Sequence, residues 1–178
     1  MSHVIAVPDP SLILLIGAAG SGKSTFARTH FKPVEIISSD FCRALVCNKE
    51  ADQSATLDAF DVLRLIVRKR LRRGLLTVVD ATNVQLKARR RLLPFAVQCE
   101  VPAIAIVFDV AEEVCLARNQ SRPERQVRAE VVREQMEDLK RARPLLAREG
   151  FSAVHVFADA TQSDSAVISR SAHPWRLE

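Results

Sequence analysis

Short aliphatic runs alternate with longer amphipathic segments along most of the chain. A short run without polar positions is typical of a strand buried on both faces of a parallel sheet. Such runs predict about five strands, at residues 11–17, 34–38, 75–79, 103–107 and 153–157. The last of them alternates apolar and polar side chains (AVHVF), as an edge strand does.

Between these runs the apolar residues recur at helical spacing. Residues 52–73 carry such a stripe, and Gly74 follows at the position of a helix cap. The stripe consists of Leu57, Phe60, Leu63, Val67 and Leu71. Helices are also predicted at residues 23–30, 84–98 (with a kink or end at Pro94), 111–119 and 127–148, before a polar tail at 158–178. Strands separated by helices favour right-handed βαβ units, so residues 1–178 are predicted to form one α/β domain, a parallel sheet with helices on both faces.

A glycine-rich loop joins the first of these strands to the first helix. The stretch GAAGSGKS from Gly17 to Ser24 matches GxxxxGK[ST] in full. The glycines let the backbone curl so that its N–H groups point at phosphate oxygens, and the helix N-terminus adds its positive dipole. Lys23 would reach the β- and γ-phosphates, Ser24 would ligate Mg²⁺, and Thr25 would contact the α-phosphate. The predicted nucleotide-binding residues are Gly17, Ala18, Ala19, Gly20, Ser21, Gly22, Lys23, Ser24 and Thr25.

Two aspartates follow predicted strands. Ligands of open α/β sheets bind outside the carboxyl ends of the strands, where Asp40 (after VEIISS) and Asp80 (after LLTVV) are expected. Asp80 would support Mg²⁺ directly or through water, and Asp40 would take a proton from an acceptor hydroxyl. The alternatives are an N-cap role for Asp40 before the segment that begins at Phe41, and a turn role for Asp80 in DATN.

Arginines are expected around the same site. Arg43 follows Asp40 by three residues and could clamp a phosphate of the acceptor. Arg118, Arg122 and Arg125 cluster between two predicted helices, where they would form a mobile lid over ATP; the alternative is a solvated charge run. The basic runs at residues 68–73 (RKRLRR) and 87–91 (KARRR) are predicted to be solvated helix faces, although they could extend a nucleic-acid track.

Composition adds little to this picture. The net charge of +5 and the excess of arginine over lysine favour anionic partners. No apolar run approaches the roughly 20 residues that span a bilayer, and the N-terminus lacks the basic region of a secretory signal. The four cysteines show no metal spacing, so buried or incidental thiols in a reducing cytoplasm are expected.

Five blocks of sequence together resemble one family. They are GAAGSGKSTFA, HFKPVEIISSDFCR, LTVVDATNV, CLARNQSRPERQV and LLAREGF. In order and spacing they are similar to the kinase module of bacterial polynucleotide kinase-phosphatase, an RNA end-repair enzyme of the P-loop phosphotransferase superfamily. The resemblance covers residues 12–157. The blocks SSDFCR and VVDATNV are more specific than the phosphate loop.

The resemblance implies a P-loop kinase fold with an arginine-bearing lid, and transfer of the γ-phosphate of ATP, with Mg²⁺, to the 5′-OH of RNA or DNA. It implies that Asp40 is the general base and that Arg43 grips the acceptor phosphate. Lys23 and Ser24 would serve ATP and Mg²⁺. The residues assigned to the lid are Arg118, Arg122 and Arg125, with Arg125 acting in catalysis. Asp80 and Asn83 belong to a family block, with a metal role assigned to Asp80 and an acceptor role to Asn83.

Three questions stay open at the level of sequence. The family joins this module to phosphatase and ligase modules, which this sequence lacks, so the chain is expected to be an excised domain or a stand-alone kinase. The sequence does not decide whether the protein forms a homodimer, whether it prefers RNA or DNA, or which base the donor nucleotide carries. The competing functions are a small-metabolite kinase on the same fold and a non-catalytic ATP-binding regulatory module.

Overall fold

Five parallel strands form the main sheet of the structure, a computed structural model that describes residues 4–121 and 126–173. The strands are β2 (Leu12–Ile16), β3 (Ile36–Ser38), β4 (Thr77–Asp80), β5 (Ala103–Phe108) and β6 (Ala153–Phe157). Their order across the sheet is β3-β4-β2-β5-β6, and every neighbouring pair is parallel. The predicted α/β class and parallel sheet are therefore confirmed, with β6 at an edge.

Strand β2 lies in the middle of the sheet, and all its side chains are buried. Because successive side chains point to opposite faces, Leu12, Leu14 and Ile16 join one hydrophobic cluster, while Ile13 and Leu15 join the other. Covering both faces with helices explains why this strand reads as a continuous aliphatic run.

The helices occupy the segments between the strands. They are α1 (Lys23–His30), α2 (Ser39–Cys47), α3 (Thr56–Leu71), α4 (Leu86–Arg90), α5 (Leu93–Gln98), α6 (Glu112–Gln120), α7 (Ala129–Ala142) and α8 (Ala160–Asp164). Short 3₁₀ turns occupy Pro33–Glu35, Gln53–Ala55 and Arg143–Arg148.

Two predicted helices end or break where proline intervenes. The helix expected at 84–98 is two helices, and Pro94 lies in the first turn of α5, where a missing N–H costs no hydrogen bond. The helix expected at 127–148 ends at Ala142 and continues as a 3₁₀ turn that contains Pro144 near its start.

The structure contains a strand at each end of the described chain that the sequence did not predict. Strands β1 (Val4–Asp9) and β7 (Val167–Ala172) pair in parallel as a separate two-stranded sheet, so part of the expected polar tail is a strand. Ile5 and Val7 of β1 are fully buried. Strand β7 exposes most of its residues, and the pairing of β1 with β7 joins segments from opposite ends of the sequence, which local periodicity does not reveal.

Individual side chains also depart from prediction. Leu57 of the expected α3 stripe is 75% exposed, whereas Leu63, Val67 and Leu71 are buried. The basic runs are not wholly solvated, because Arg89 is only 1% exposed. Arg70 is half-buried and donates to the Leu76 carbonyl.

Within the described ranges, no helix is both long and apolar enough to cross a membrane. All four cysteines are free, and Cys42, Cys99 and Cys115 are buried, as expected of structural thiols. Burial raises the pKa of the Cys42 and Cys115 thiols above their ordinary value.

Candidate nucleotide and phosphoryl-transfer site

The carboxyl ends of three strands bring the predicted site residues together. In the sheet register Asp80, at the end of β4, lies beside Leu15 on one side and Ser38 on the other. The loop after β2, the start of α2 and the end of β4 therefore meet at one edge of the sheet. A hydrogen bond from the Gly17 N–H to the Thr82 carbonyl (2.9 Å) ties the loop to the segment after β4.

The glycine-rich loop has the backbone of a phosphate cradle. Gly20 (φ +83°) and Gly22 (φ +100°) adopt left-handed conformations that favour glycine. The Lys23 ammonium donates to the Ala18 carbonyl (2.7 Å) and to the Ser21 hydroxyl (3.2 Å). Gly22 is the N-cap of α1 and offers no side-chain acceptor to the first helical turn. The loop and helix N-terminus thus fit the phosphates of a nucleotide.

A pocket of about 460 Å³ lies in front of this loop. The predicted residues that line it are Ala19, Gly20, Gly22, Lys23, Ser24, Asp40, Arg43 and Asp80. Ser24 and Asp80 supply a hydroxyl and a carboxylate, which are the oxygen ligands that Mg²⁺ prefers, so the residues present fit that ion.

Asp40 and Arg43 form an ion pair on the first turns of α2. Arg43 Nη1 donates to Asp40 Oδ1 (2.8 Å) and to the Glu50 carbonyl (2.6 Å). The Arg43 side chain is 6% exposed and that of Asp40 is 30% exposed. Within the described residues, Arg43 Nε is buried without a hydrogen-bond partner. The pair therefore combines a partly open carboxylate with a buried cation that has an unused donor.

The two structural alternatives for the aspartates do not hold. Ser38, not Asp40, is the N-cap of α2, because its hydroxyl accepts from the Phe41 N–H (3.3 Å). Asp80 is the last residue of β4 rather than a turn residue, and it is 8% exposed. Both carboxylates are thus placed at the pocket without those roles.

Asn83 lies outside this pocket and lines an adjacent one of about 370 Å³. It has a positive φ of +49° and is 2% exposed. Its Nδ2 donates to the Leu15 carbonyl (2.8 Å), which holds the turn after β4 against β2. The acceptor role assigned to Asn83 stays a prediction.

Arg118 approaches the phosphate loop from α6. Its Nη1 lies 3.4 Å from the position that a Cβ on Gly22 would occupy. Thr25 is exposed on α1, and Ser21 is buried within the loop. The predicted lid residues Arg122 and Arg125 lie outside the described residues.

One site residue was missed by the sequence reasoning. Gln135 of α7 accepts a hydrogen bond from the Ala19 N–H of the phosphate loop (2.8 Å) and lines both pockets. Val131, Gln135 and Asp138 fall on one face of α7 and line the second pocket. The helical spacing of these three residues was the only sign in the sequence that they share a face, and no motif marks Gln135 as a site residue.

The model of a protein family that is described as an AAA domain matches residues 12–146 of the chain. The chain belongs to this AAA domain family. The matched range contains the phosphate loop, both aspartates and the whole of α7. No curated protein matches the chain.

Several solved structures share the fold of this AAA domain. A chain of the Pnkp1/Rnl/Hen1 RNA repair complex has a TM-score of 0.66 and 21% identity, with 78% of this chain and 46% of that chain covered. A gluconokinase from Sinorhizobium meliloti 1021 has a TM-score of 0.52 and 17% identity, with 84% and 83% covered. A chain of the AvrRxo1-ORF1:-ORF2 complex with ATP has a TM-score of 0.65 and 16% identity, with 84% and 55% covered.

These likenesses show a fold, the P-loop kinase fold, and not a substrate. The chain spans less than half of the RNA repair chain that it matches. The names of the neighbours also differ, since one is a gluconokinase and another belongs to an RNA repair complex.

Proposed function

We propose that the protein is an ATP-dependent polynucleotide 5′-hydroxyl kinase that acts on RNA or DNA ends in nucleic-acid repair. The observation that carries the proposal is the Asp40–Arg43 pair, which lines the same pocket as Lys23 of the phosphate loop. A carboxylate and a cation beside a phosphate cradle are what a kinase needs for an acceptor that is itself a phosphate ester.

In the proposed reaction Asp40 accepts the proton of the 5′-hydroxyl group. The hydroxyl oxygen forms a bond to the γ-phosphorus while the bond from that phosphorus to the β–γ bridging oxygen breaks, releasing ADP. Lys23 and the loop N–H groups would hold the phosphate oxygens. Bound Mg²⁺, with Ser24 and Asp80 as its candidate ligands, would supply charge neutralisation on the phosphates.

Arg43 argues for an acceptor that carries a phosphate. Its Nη1 is committed to Asp40 and to the Glu50 carbonyl, which fixes the guanidinium beside the base. The buried Nε–H then remains as a donor for the phosphate next to the reacting nucleoside. A neutral sugar offers this donor only a hydroxyl oxygen, whereas a phosphate or a carboxylate offers an anionic oxygen, which forms a stronger hydrogen bond with a guanidinium.

The arrangement of pockets also supports a polymeric acceptor. The pocket in front of the loop and its neighbour of about 370 Å³ share Phe60, Thr82, Val131 and Gln135 among their lining residues. A nucleic-acid strand extends beyond its reacting end and can use the second pocket, whereas a small metabolite needs only the first. Three basic side chains line the second pocket, from α3, from α4 and from the C-cap of α4 (Arg64, Lys87 and Arg91), together with Glu134 and Asp138 of α7.

The test is transfer of labelled γ-phosphate to a panel of acceptors. The panel contains 5′-OH RNA, 5′-OH DNA, a nucleoside 3′-monophosphate and a mixture of hydroxylated metabolites. We expect transfer to the nucleic-acid 5′ ends. Transfer to a metabolite alone would instead identify a small-molecule kinase, and tight ATP binding without any transfer would identify a regulatory module.

Asp40→Asn tests the proposed base directly. The amide keeps the shape of the side chain but cannot take the proton, so turnover should fall by a factor on the order of 10²–10⁴ with ATP affinity nearly intact. Asp58→Asn is the matched control, because Asp58 is an exposed carboxylate on α3. Equal turnover in the Asp40 variant and the wild type would remove Asp40 from the reaction.

The remaining assignments are part of the same proposal. Arg118 would stabilise ATP phosphates from α6, and Arg122 and Arg125 would assist from the segment that follows it. Asn83 would contact the acceptor strand. Association with phosphatase and ligase modules, self-association and a cytoplasmic location are likewise proposed and not required by the site.

A further inference from the structure

Gln135 joins α7 directly to the phosphate loop. Its Oε1 accepts from the Ala19 N–H at 2.8 Å, across a sequence separation of 116 residues. It is a partly buried contact between a side chain and one of the loop amides that line the candidate nucleotide pocket. The reaction proposed above makes no use of this residue.

The contact fixes the orientation of the carboxamide. A backbone N–H can only donate, so the oxygen of Gln135 must face Ala19 and the Nε2 amide group must lie on the other side. Gln135 lines both the pocket of about 460 Å³ and the adjacent pocket of about 370 Å³. The side chain therefore brings a neutral, oriented donor to the junction between the two pockets.

That junction lies at the γ-phosphate end of the cradle. The lysine of a GxxxxGK[ST] loop contacts the β- and γ-phosphates of the bound nucleotide. Here the Lys23 ammonium lies 2.7 Å from the carbonyl of Ala18, the residue that precedes Ala19. Lys23 and Gln135 thus converge on neighbouring residues of the loop, from α1 and from α7.

We propose that Gln135 recognises the γ-phosphate: the Ala19 N–H holds Oε1, and Nε2 donates to a γ-phosphate oxygen. This rests on the nucleotide site of the proposed function, but it holds for any acceptor. Gln135 gives the site a preference for a triphosphate over a diphosphate. Because Nε2 stays beside the transferred group, the same donor stabilises the charge on the phosphoryl oxygens during transfer.

The closing experiment compares Gln135→Glu with Gln135→Ala. The carboxylate of Gln135→Glu still accepts from the Ala19 N–H, yet it places an anionic oxygen where Nε2 was. The affinity of a non-hydrolysable ATP analogue, measured by calorimetry with Mg²⁺, should fall roughly 10–100-fold in Gln135→Glu and less in Gln135→Ala. The affinity of ADP should change by less than about threefold in Gln135→Glu.

Glu137→Gln, at an exposed position of the same helix, is the matched control and should match the wild type for both nucleotides. If Gln135 served only to connect α7 to the loop, the order of the two variants would be reversed. Gln135→Glu keeps the hydrogen bond to Ala19 and would bind the triphosphate analogue better than Gln135→Ala does. The proposal is wrong if Gln135→Glu binds the triphosphate analogue as the wild type does, or if it weakens both nucleotides equally.

The readout separates this inference from the polynucleotide assignment, since nucleotide binding needs no acceptor. A wild type that fails to phosphorylate 5′-OH oligonucleotides would overturn the assignment and leave the ratio of triphosphate to diphosphate affinity unchanged. A wild type that binds the two nucleotides equally would overturn the role of Gln135 whatever the acceptor proves to be.

Discussion

Gly20 of the phosphate loop is required both by the close approach of neighbouring backbone and by its own backbone angle. A Cβ on Gly20 would lie 2.2 Å from the Cys115 carbonyl of α6, and the position also has a φ of +83°. Gly150 has a φ of +102°, but a Cβ there would meet nothing within 4 Å. The loop can therefore lie against α6 only because Gly20 lacks a side chain.

Gly20→Ala should consequently cost more than Gly150→Ala. Both variants impose the strain of a positive φ, about 1–2 kcal/mol. Gly20→Ala also drives a methyl group into backbone, which we expect to cost about 1–3 kcal/mol more. Urea denaturation measures both losses, and nucleotide titration should show weaker binding only for Gly20→Ala. Equal losses in the two variants would mean that α6 can move away from the loop at little cost.

The site was partly predictable at the level of residues. The phosphate loop follows from its motif, and Asp40 and Asp80 follow from their positions after aliphatic runs, because parallel strands end at the same edge of a sheet. Gln135 did not follow, since its partner is a backbone amide 116 residues away and its neighbours on α7 read as an ordinary amphipathic helix. Contacts between side chains and distant backbone leave no periodic trace in a sequence.

Among the secondary-structure elements, the short helix α4 depends on one buried arginine. Arg89 forms a bidentate ion pair with Glu149 (2.6 and 2.7 Å), and its Nη1 donates to the carbonyls of Asn83 and Val84. It thereby joins the turn after β4, which lines the second pocket, to the segment before β6. The basic run at 87–91 gave no indication of which arginine points inward, because that depends on a glutamate 60 residues away.

Removing the Arg89 side chain should strongly destabilise the fold. Arg89→Ala leaves Glu149, with 9% of its side chain exposed, without its cation, and we expect a loss of about 3–5 kcal/mol in the free energy of unfolding. Arg90→Ala removes an exposed arginine from the same helix and should change stability by less than about 0.5 kcal/mol. Urea denaturation of both variants is the measurement. A loss in Arg89→Ala as small as that of the control would show that Glu149 finds another partner or solvent.

The elements that could be predicted are those whose burial leaves a pattern in their own stretch of sequence. The three inner strands of the main sheet, β2, β4 and β5, were located because burial on both faces produces aliphatic runs. The edge strands were located from a short apolar run in β3 and from the alternating pattern of β6. Strands β1 and β7 were not, since β7 exposes most of its residues and has no pattern of its own. The same reason explains the missed α2, whose apolar positions Phe41, Leu45 and Val46 are largely exposed.

On the scale of the whole molecule, the two ends of the described chain are held together against the main domain. The β1–β7 sheet is joined to the turn before β3 through Arg170, whose guanidinium donates both Nη1 and Nη2 to Glu35 (2.8 and 2.7 Å). The same guanidinium lies 5.6 Å from the centre of the Phe31 ring, at the end of α1. The contacts of Arg170 with Glu35 and Phe31 together form a clasp between the two sheets. The clasp lies next to α1, which follows the phosphate loop, and next to β3, which precedes Asp40.

The clasp should therefore make the free energy of unfolding depend on pH in the acidic range. Burial alone raises the pKa of Glu35, but hydrogen bonds from Arg170 and the Lys32 N–H outweigh it and hold the pKa below its ordinary value of 4.5. A lowered carboxyl pKa stabilises the fold above about pH 4.5, and the contribution is lost as the pH falls through the folded-state pKa. Arg170→Met should cost about 1–2 kcal/mol at neutral pH, because Arg170 is 30% exposed, and progressively less in acid. Urea denaturation across this range, with Ser169→Ala as the exposed control on β7, measures the difference. A loss that stays constant with pH would show that Arg170 acts through packing on Phe31 and not through the charge of Glu35.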